Sequence, residues 1–351
     1  MRASSDARAL GVPVPVIDDT RTGGVLRRGD VAPPRRRKSW WRRLRRATRG
    51  PRNAVIARVL DGAARSFGAL PVDVGLRLGR GLGLAAHRLL GTPRRFAHEH
   101  VRLALPELDE DARRQLVRAT FAHAGESFVE LALWPKLQHR NDFIIAEGLA
   151  VPDAAMEAGR GCIAVTGHTG NWELLAAALG ARYPLTVVAR RVNDTRFDAL
   201  VVRFRKTVGI EVLARDVPDL LARIRGALAR GRVVAFLIDQ DTRASGVFVP
   251  FFGRPAHTPA GPAVLALRAR VPLMTAFIER RPDGGHRIRC ADVPLMADGG
   301  RASVIELTAR LTAAIEAQIR RAPAEWVWWH ERWRRRPAER STLQGGRPRG
   351  T

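Results

Sequence analysis

The chain has 351 residues, 46% of them hydrophobic, which supports a buried core in one large domain or two ordinary ones and excludes global disorder. Sixty basic residues against 34 acidic ones give a formal net charge of +26, which points to an anionic partner: nucleic acid, an anionic membrane face or an acidic protein. Two cysteines cannot make a disulfide framework, and no stretch reaches the roughly 20 apolar residues that span a bilayer, so any membrane contact is expected to be peripheral.

The charge is uneven along the chain. Residues 35–49 hold nine basic residues and no acid, and residues 332–349 hold seven arginines against Glu339, which leaves +11 for the rest. Only Lys38, Lys136 and Lys206 are lysines, and a GC-rich genome would give the same arginine bias in the body. Residues 1–50 read as a disordered basic extension with no apolar signal-peptide region. Trp40, Trp41 and Leu44 among its arginines fit either a lipid headgroup layer or a solvated, nucleic-acid-binding tail.

The remainder, residues 51–337, reads as one domain, and 338–351 as a second disordered basic tail. Over 55–136 the pattern is helical: Leu60, Ala63, Ala64 and Phe67 recur at helical spacing, then Leu76, Leu78, Leu82, Leu84 and Leu89 follow with glycines between them. Arg58, Arg65, Asp73, Arg77, Arg80 and Arg88 break this stretch as a membrane span. Residues 109–134 form another amphipathic helix, with Pro106 and Pro135 as breakers.

From about residue 160 the reading alternates. Strands are predicted over 162–166, 185–189, 211–213, 233–238, 273–278 and 287–290, and helices over 172–179, 195–207, 217–229, 259–270 and 303–320. The alternation argues for an α/β sandwich with a mainly parallel sheet and a helical N-terminal region covering 51–150.

The segment Cys162-Ile-Ala-Val-Thr-Gly-His168-Thr-Gly-Asn-Trp-Glu173 carries the chemistry. A buried strand ends at Thr166, Gly167 and Gly170 flank His168, and a helix follows, so His168 stands at a strand's carboxyl end, where open α/β folds bind ligands. Glu173, five residues on, can turn back to one imidazole nitrogen while the other takes a proton from a substrate hydroxyl. The alternative is a histidine that merely caps the helix. No second His or Cys stands nearby at zinc-site spacing, and no Gly-x-Ser-x-Gly elbow is present, so no metal or cofactor is expected.

His168 to Glu173 resembles the His-x4-Asp/Glu block of the lysophospholipid acyltransferase superfamily, and more narrowly the late lipid A biosynthesis (lauroyl and myristoyl) acyltransferases and the phosphatidylinositol mannoside acyltransferases. Further blocks resemble the same family: Val101-Arg-Leu-Ala-Leu-Pro-Glu107, Arg190 to Asn193, Asp239-Gln-Asp241, Gly246 to Gly253, Thr258 to Pro262, and Trp326-Val-Trp-Trp-His330 with Arg332-Trp333. His100 stands where the family carries Asn. The resemblance implies a glycerol-3-phosphate-acyltransferase-like sandwich and direct acyl transfer. The donor is a thioester of acyl-carrier protein or coenzyme A, and the acceptor is a membrane lipid hydroxyl, a lipid A precursor first. It also implies His168 as base, Glu173 as its partner, and Arg190, Asn193 and Asp239 as substrate-binding residues, at the cytoplasmic face of the bacterial inner membrane. A glycolipid, ornithine lipid or lysophospholipid acceptor needs similar chemistry. Phe248, Val249, Phe251 and Phe252 either line an acyl channel or fill core, and the tryptophans beside the terminal arginines suggest an interface belt. A basic nucleic-acid-binding protein is the competing class. No helix-turn-helix, zinc-finger or RNA-binding signature supports it.

Overall fold

Three amphipathic segments make the helical part: α1 (Val72–Leu89), α2 (Gly91–Ala104) and α3 (Glu110–Leu137). Asp109 caps α3 by accepting from the Ala112 N–H at 2.7 Å, and Glu110 and Asp111 add negative charge at the positive end of the helix dipole. Pro135, predicted to be a breaker, does not end α3, because a proline in the last turn removes only the bond to the carbonyl four residues back. α1 buries Gly75, Gly79 and Gly83 against α3. A Cβ at Gly79 or Gly83 would collide with the Gly125 or Phe121 carbonyl, so the two backbones meet directly.

The computed structural model describes residues 62, 66–140, 142–189, 201, 204–241 and 244–337, which apart from Pro337 belong to one compact unit, Arg49–Arg336. The basic extension and tail, Leu60, Ala63, Ala64, Arg190, Asn193 and most of the helix expected over 195–207 lie outside the described residues.

After α3 the chain alternates: β1 (Ile144–Glu147), α4 (Ala150–Glu157), β2 (Cys162–Thr166), α5 (Trp172–Arg182), β3 (Leu185–Ala189), β4 (Glu211–Ala214), α6 (Leu220–Ala229), β5 (Val233–Leu237), β6 (Gly246–Phe251), β7 (Arg254–Pro259), α7 (Gly261–Ala269), β8 (Leu273–Arg280), β9 (His286–Asp292) and α8 (Arg301–Arg321). A 3-10 turn, Pro323–Glu325, leads into the tryptophan segment. Seven strands form one sheet in the order β1-β9-β8-β2-β5-β3-β4, parallel throughout except between β8 and β9. The expected α/β class with a mainly parallel sheet is what the chain adopts. β6 and β7 form a separate antiparallel hairpin. Residues 144–157 and this hairpin were not predicted, since β1 is short and half-exposed and shows no alternation.

Both sheet faces are covered. Ile163, Val165, Val234 and Phe236 pack with α2, α7, α8, Trp326 and Trp328, whereas Cys162, Ala164, Val187 and Met274 pack with α3 and α5. Strands buried on both faces read as continuous apolar runs, which is why β2 and β5 were legible in the sequence. Val249, Phe251 and Phe252 are buried, which decides for core over channel, while Phe248 is half-buried.

Candidate active site

β2 and β5 are parallel neighbours in the register Cys162 to Val233 and Thr166 to Leu237. Two residues beyond each strand the same register sets His168 beside Asp239. The Asp239 carboxylate accepts from the His168 backbone N–H (Oδ2, 2.7 Å) and lies 2.7 Å from His168 Nδ1 through Oδ1. Oδ2 also accepts from the indole N–H of Trp326 at 2.8 Å. Asp239 is buried, which alone would raise its pKa, but the charge interaction with His168 and these hydrogen bonds hold it at about 2. An ionised Asp239 keeps the proton on His168 Nδ1 and leaves Nε2 as the acceptor, and the His168 side chain is 21% exposed.

Here the expected roles change. The sequence pairs His168 with Glu173 and assigns Asp239 to substrate. Instead both Glu173 oxygens are taken by Arg205, at 2.9 Å from Nε and 2.6 Å from a terminal nitrogen. Asp239 is buried among protein donors and offers no surface to a substrate. The reason is helix geometry. Trp172 and Glu173 are about 100° apart around α5, and it is the Trp172 ring that meets His168, edge-on at 5.1 Å.

The loop that carries His168 is clamped from two sides. Gly170 has φ +63°, and a Cβ there would strike the Ile278 carbonyl, so the turn into α5 requires glycine. Thr169 bridges to Trp326, and the Gly170 N–H donates to the Glu325 carbonyl at 3.0 Å. Asn171 caps α5 by accepting from the Leu174 N–H, and its amide donates to Glu130 Oε2 (2.8 Å) and the Ser127 carbonyl (3.0 Å) on α3. Glu130 is fully buried. Burial would raise its pKa, but His286 and Arg280, at 2.9 and 2.6 Å, hold it at about 2. Burial keeps His123 and His330 neutral, both at about 4, and pushes half-buried Glu325 up to about 7.

Trp326 and Trp328 are 1% and 0% exposed, so the interface belt expected of them is corrected: they are core residues, and Trp326 also holds Asp239. Their indoles are large enough to fill the space below the sheet edge, and each N–H finds an acceptor, Trp328's being the Pro323 carbonyl at 2.7 Å. His100 Nδ1 lies 2.8 Å from the Trp328 carbonyl and ties α2 to the segment. Fully buried Arg332 donates to the His257 carbonyl and Thr258 Oγ1, both at 2.6 Å, anchoring the same segment to β7.

Between α5 and the sheet lies a narrow apolar cavity of about 30 Å³, lined by Ala164, Trp172, Leu175, Val187 and Ala235 together with Glu173 and Arg205. That is about the volume of one water in the liquid. Among the described residues no group of three or more His, Cys, Asp or Glu side chains is placed to hold a metal ion. Arg205, Glu130, Arg280 and His286 escaped the sequence reading, and Trp326 was singled out there only as part of a family block and as an interface tryptophan, not as a partner of Asp239. Asn171 sits inside the quoted motif, but the other partners come from strands and helices far along the chain.

The bacterial lipid A biosynthesis acyltransferase model matches residues 47–335. The chain belongs to that family. It is similar to a phosphatidylinositol mannoside acyltransferase of Mycolicibacterium smegmatis (30% identity, 64% of this chain and 74% of the relative). It is also similar to two Escherichia coli proteins, a lipid A biosynthesis palmitoleoyltransferase (28%, 78% of this chain and 89% of the relative) and a lipid A biosynthesis lauroyltransferase (30%, 76% and 88%). The protein is therefore an enzyme, a lipid acyltransferase.

Proposed function

We propose that this acyltransferase moves a fatty acyl group from an acyl thioester to a hydroxyl of a membrane lipid, with His168 as general base and Asp239, rather than Glu173, as its orienting partner. The observation that carries this is the 2.7 Å contact of His168 Nδ1 with the buried, ionised Asp239, which leaves Nε2 free to accept a proton. His168 Nε2 removes the acceptor's hydroxyl proton as the oxygen attacks the thioester carbonyl carbon. The C–O bond forms, the C–S bond breaks, and the imidazolium returns its proton to the departing thiolate. Asp239 stabilises the imidazolium, and no protein nucleophile is needed. Arg190 and Asn193 keep the substrate-binding roles that the resemblance implies, the Arg190 guanidinium meeting a phosphate through paired hydrogen bonds.

The acceptor is a lipid A precursor, as the names of the Escherichia coli relatives suggest, and acyl-carrier protein is the donor that a chain of net charge +26 would attract best. The mycobacterial relative's name favours a second reading, a mannosylated phosphatidylinositol acceptor. Catalysis takes place at the cytoplasmic face of the inner membrane, and among the described residues no helix is long and apolar enough to cross it. Purified protein is to be given acyl-carrier-protein and coenzyme A thioesters with each acceptor at two ionic strengths. Transfer to one lipid, lowered about a hundredfold to ten-thousandfold in His168→Ala, is expected. Full activity of His168→Ala would remove the reading, and a coenzyme A preference without salt dependence would remove the donor assignment.

A further inference from the structure

Seven large hydrophobic side chains are exposed among the described residues, and four of them, Leu78, Leu82, Leu89 and Leu90, lie on α1 or in the turn after it. They are 48%, 53%, 80% and 48% exposed. At about 100° per residue, Leu78, Leu82 and Leu89 fall within about 40° of one another, with half-buried Val74 and Ala85 in the same stripe. The buried face of α1 is a different one, the glycines against α3. Among the described residues the leucines are therefore left about half or more open rather than packed into the core.

The surroundings of the stripe are cationic. Arg77 and Arg88 project along one flank, about 100° and 80° from the Leu78 direction, and both are exposed and make no ion pair among the described residues. Exposed Arg95 follows just beyond the corner with α2, and Arg94 donates to the His87 carbonyl at 3.0 Å, closing that corner so that Leu89 and Leu90 stand at its tip. Residues 72–95 hold five arginines, Arg77, Arg80, Arg88, Arg94 and Arg95, against the single acid Asp73. Arg80, on the far side, is engaged by Glu126 of α3 at 3.1 Å.

We propose that this face of α1, with the Leu89–Leu90 corner, is the surface on which the enzyme lies on an anionic bilayer. An apolar stripe with a cationic flank is the pattern of a helix lying in the plane of the interface, leucines in the acyl boundary and arginines among phosphates. Among the described residues no helix is long and apolar enough to cross a membrane, with which an in-plane arrangement agrees. The leucines are separate side chains on the open side of one helix, with exposed Gly81 between them and the arginine flank, and lipid conforms to such separate side chains. The face also suits the reaction, because α3, on which α1 rests, supplies Glu130 and Ser127 to the loop of His168. The inference rests on the acceptor being a bilayer lipid, and it assigns the contact to α1 rather than to the arginine-rich termini.

The test uses the full chain and sedimentation with phosphatidylcholine vesicles, with and without phosphatidylglycerol, at low and high salt. Acyl transfer to detergent-dispersed acceptor is measured in parallel. The variants are Leu78→Ser/Leu82→Ser/Leu89→Ser and Arg77→Gln/Arg88→Gln. The leucine variant should lose at least about tenfold in vesicle partitioning while keeping its melting temperature and micellar activity. The arginine variant should lose about 25-fold of the preference for phosphatidylglycerol, roughly fivefold per residue. If the leucine variant melts early, Leu82→Ser alone and the arginine variant carry the same readout. Wild-type-like binding by these variants overturns the proposal and leaves the termini as the contact. A dimer that the leucine variant dissociates, with no vesicle binding by wild type, makes the occupant a second copy and also overturns it. Intact vesicle binding with no transfer to any micellar acceptor would refute the proposed function and not the docking face.

Discussion

Replacing Asp239 by asparagine separates the two candidate partners of His168. In the native site Oδ2 accepts from two N–H donors, the His168 backbone and the Trp326 indole, and Oδ1 lies on His168 Nδ1. Asparagine has one carbonyl oxygen, and the two fixed donors draw it to the Oδ2 position. Its NH2 group then faces Nδ1, which must become an acceptor. The imidazole proton moves to Nε2, where no substrate proton can be taken up. Because every polar group still has a partner, the fold should survive, which circular dichroism would verify. Loss of the required tautomer costs about ten-thousandfold in kcat, equivalent to roughly 5 kcal/mol of barrier. The assay is acyl transfer to detergent-dispersed lipid, with the tautomer read from imidazole nitrogen-15 shifts. If Asp239→Asn kept more than about a tenth of wild-type activity while Glu173→Gln lost about a thousandfold or more, the orienting role would return to Glu173 and the reasoning would fail.

Glu173→Ala leaves the Arg205 guanidinium, 14% exposed, without its carboxylate, and should lower stability by up to about 3–5 kcal/mol in chemical denaturation. Arg205→Ala combined with it should cost less than the sum of the two single changes. Glu325 is pushed up to about 7 by burial from an ordinary value of 4.5, so between those values the folded protein holds a proton that the unfolded chain has lost. Glu325 should therefore contribute a fall in stability of up to about 3 kcal/mol as pH rises from 4.5 to about 7, opposed over much of the same range by His123 and His330, which burial holds neutral in the fold. Glu325→Gln should remove that contribution, so that in pH-dependent melting curves the variant gains stability relative to wild type as pH rises, and an unchanged difference between the two curves would refute the assignment. Gly125→Ala places a methyl group into the Gly79 carbonyl and Gly83 backbone of α1 and should destabilise by about 1–3 kcal/mol. A neutral result would mean that the two helices slide apart freely.

Much of the fold was legible because the apolar patterns are local. β2 and β5 are buried on both faces, so their sequences are unbroken apolar runs, and α3 announces itself by its periodicity. His168 was likewise legible, since a strand end bracketed by glycines is visible in a dozen residues. The partner of the imidazole was not. Glu173 is five residues away in sequence, yet α5 turns Trp172 toward the ring and gives Glu173 to Arg205. Asp239 and Trp326 are 71 and 158 positions from His168, and only the parallel register of β2 with β5 and the return of the chain after α8 bring them together. Composition and spacing along a chain record which residues can form an element. The pairing of elements depends on backbone register and on the space that a Trp326 or a Gly170 leaves, and those quantities exist only once the sheet has closed.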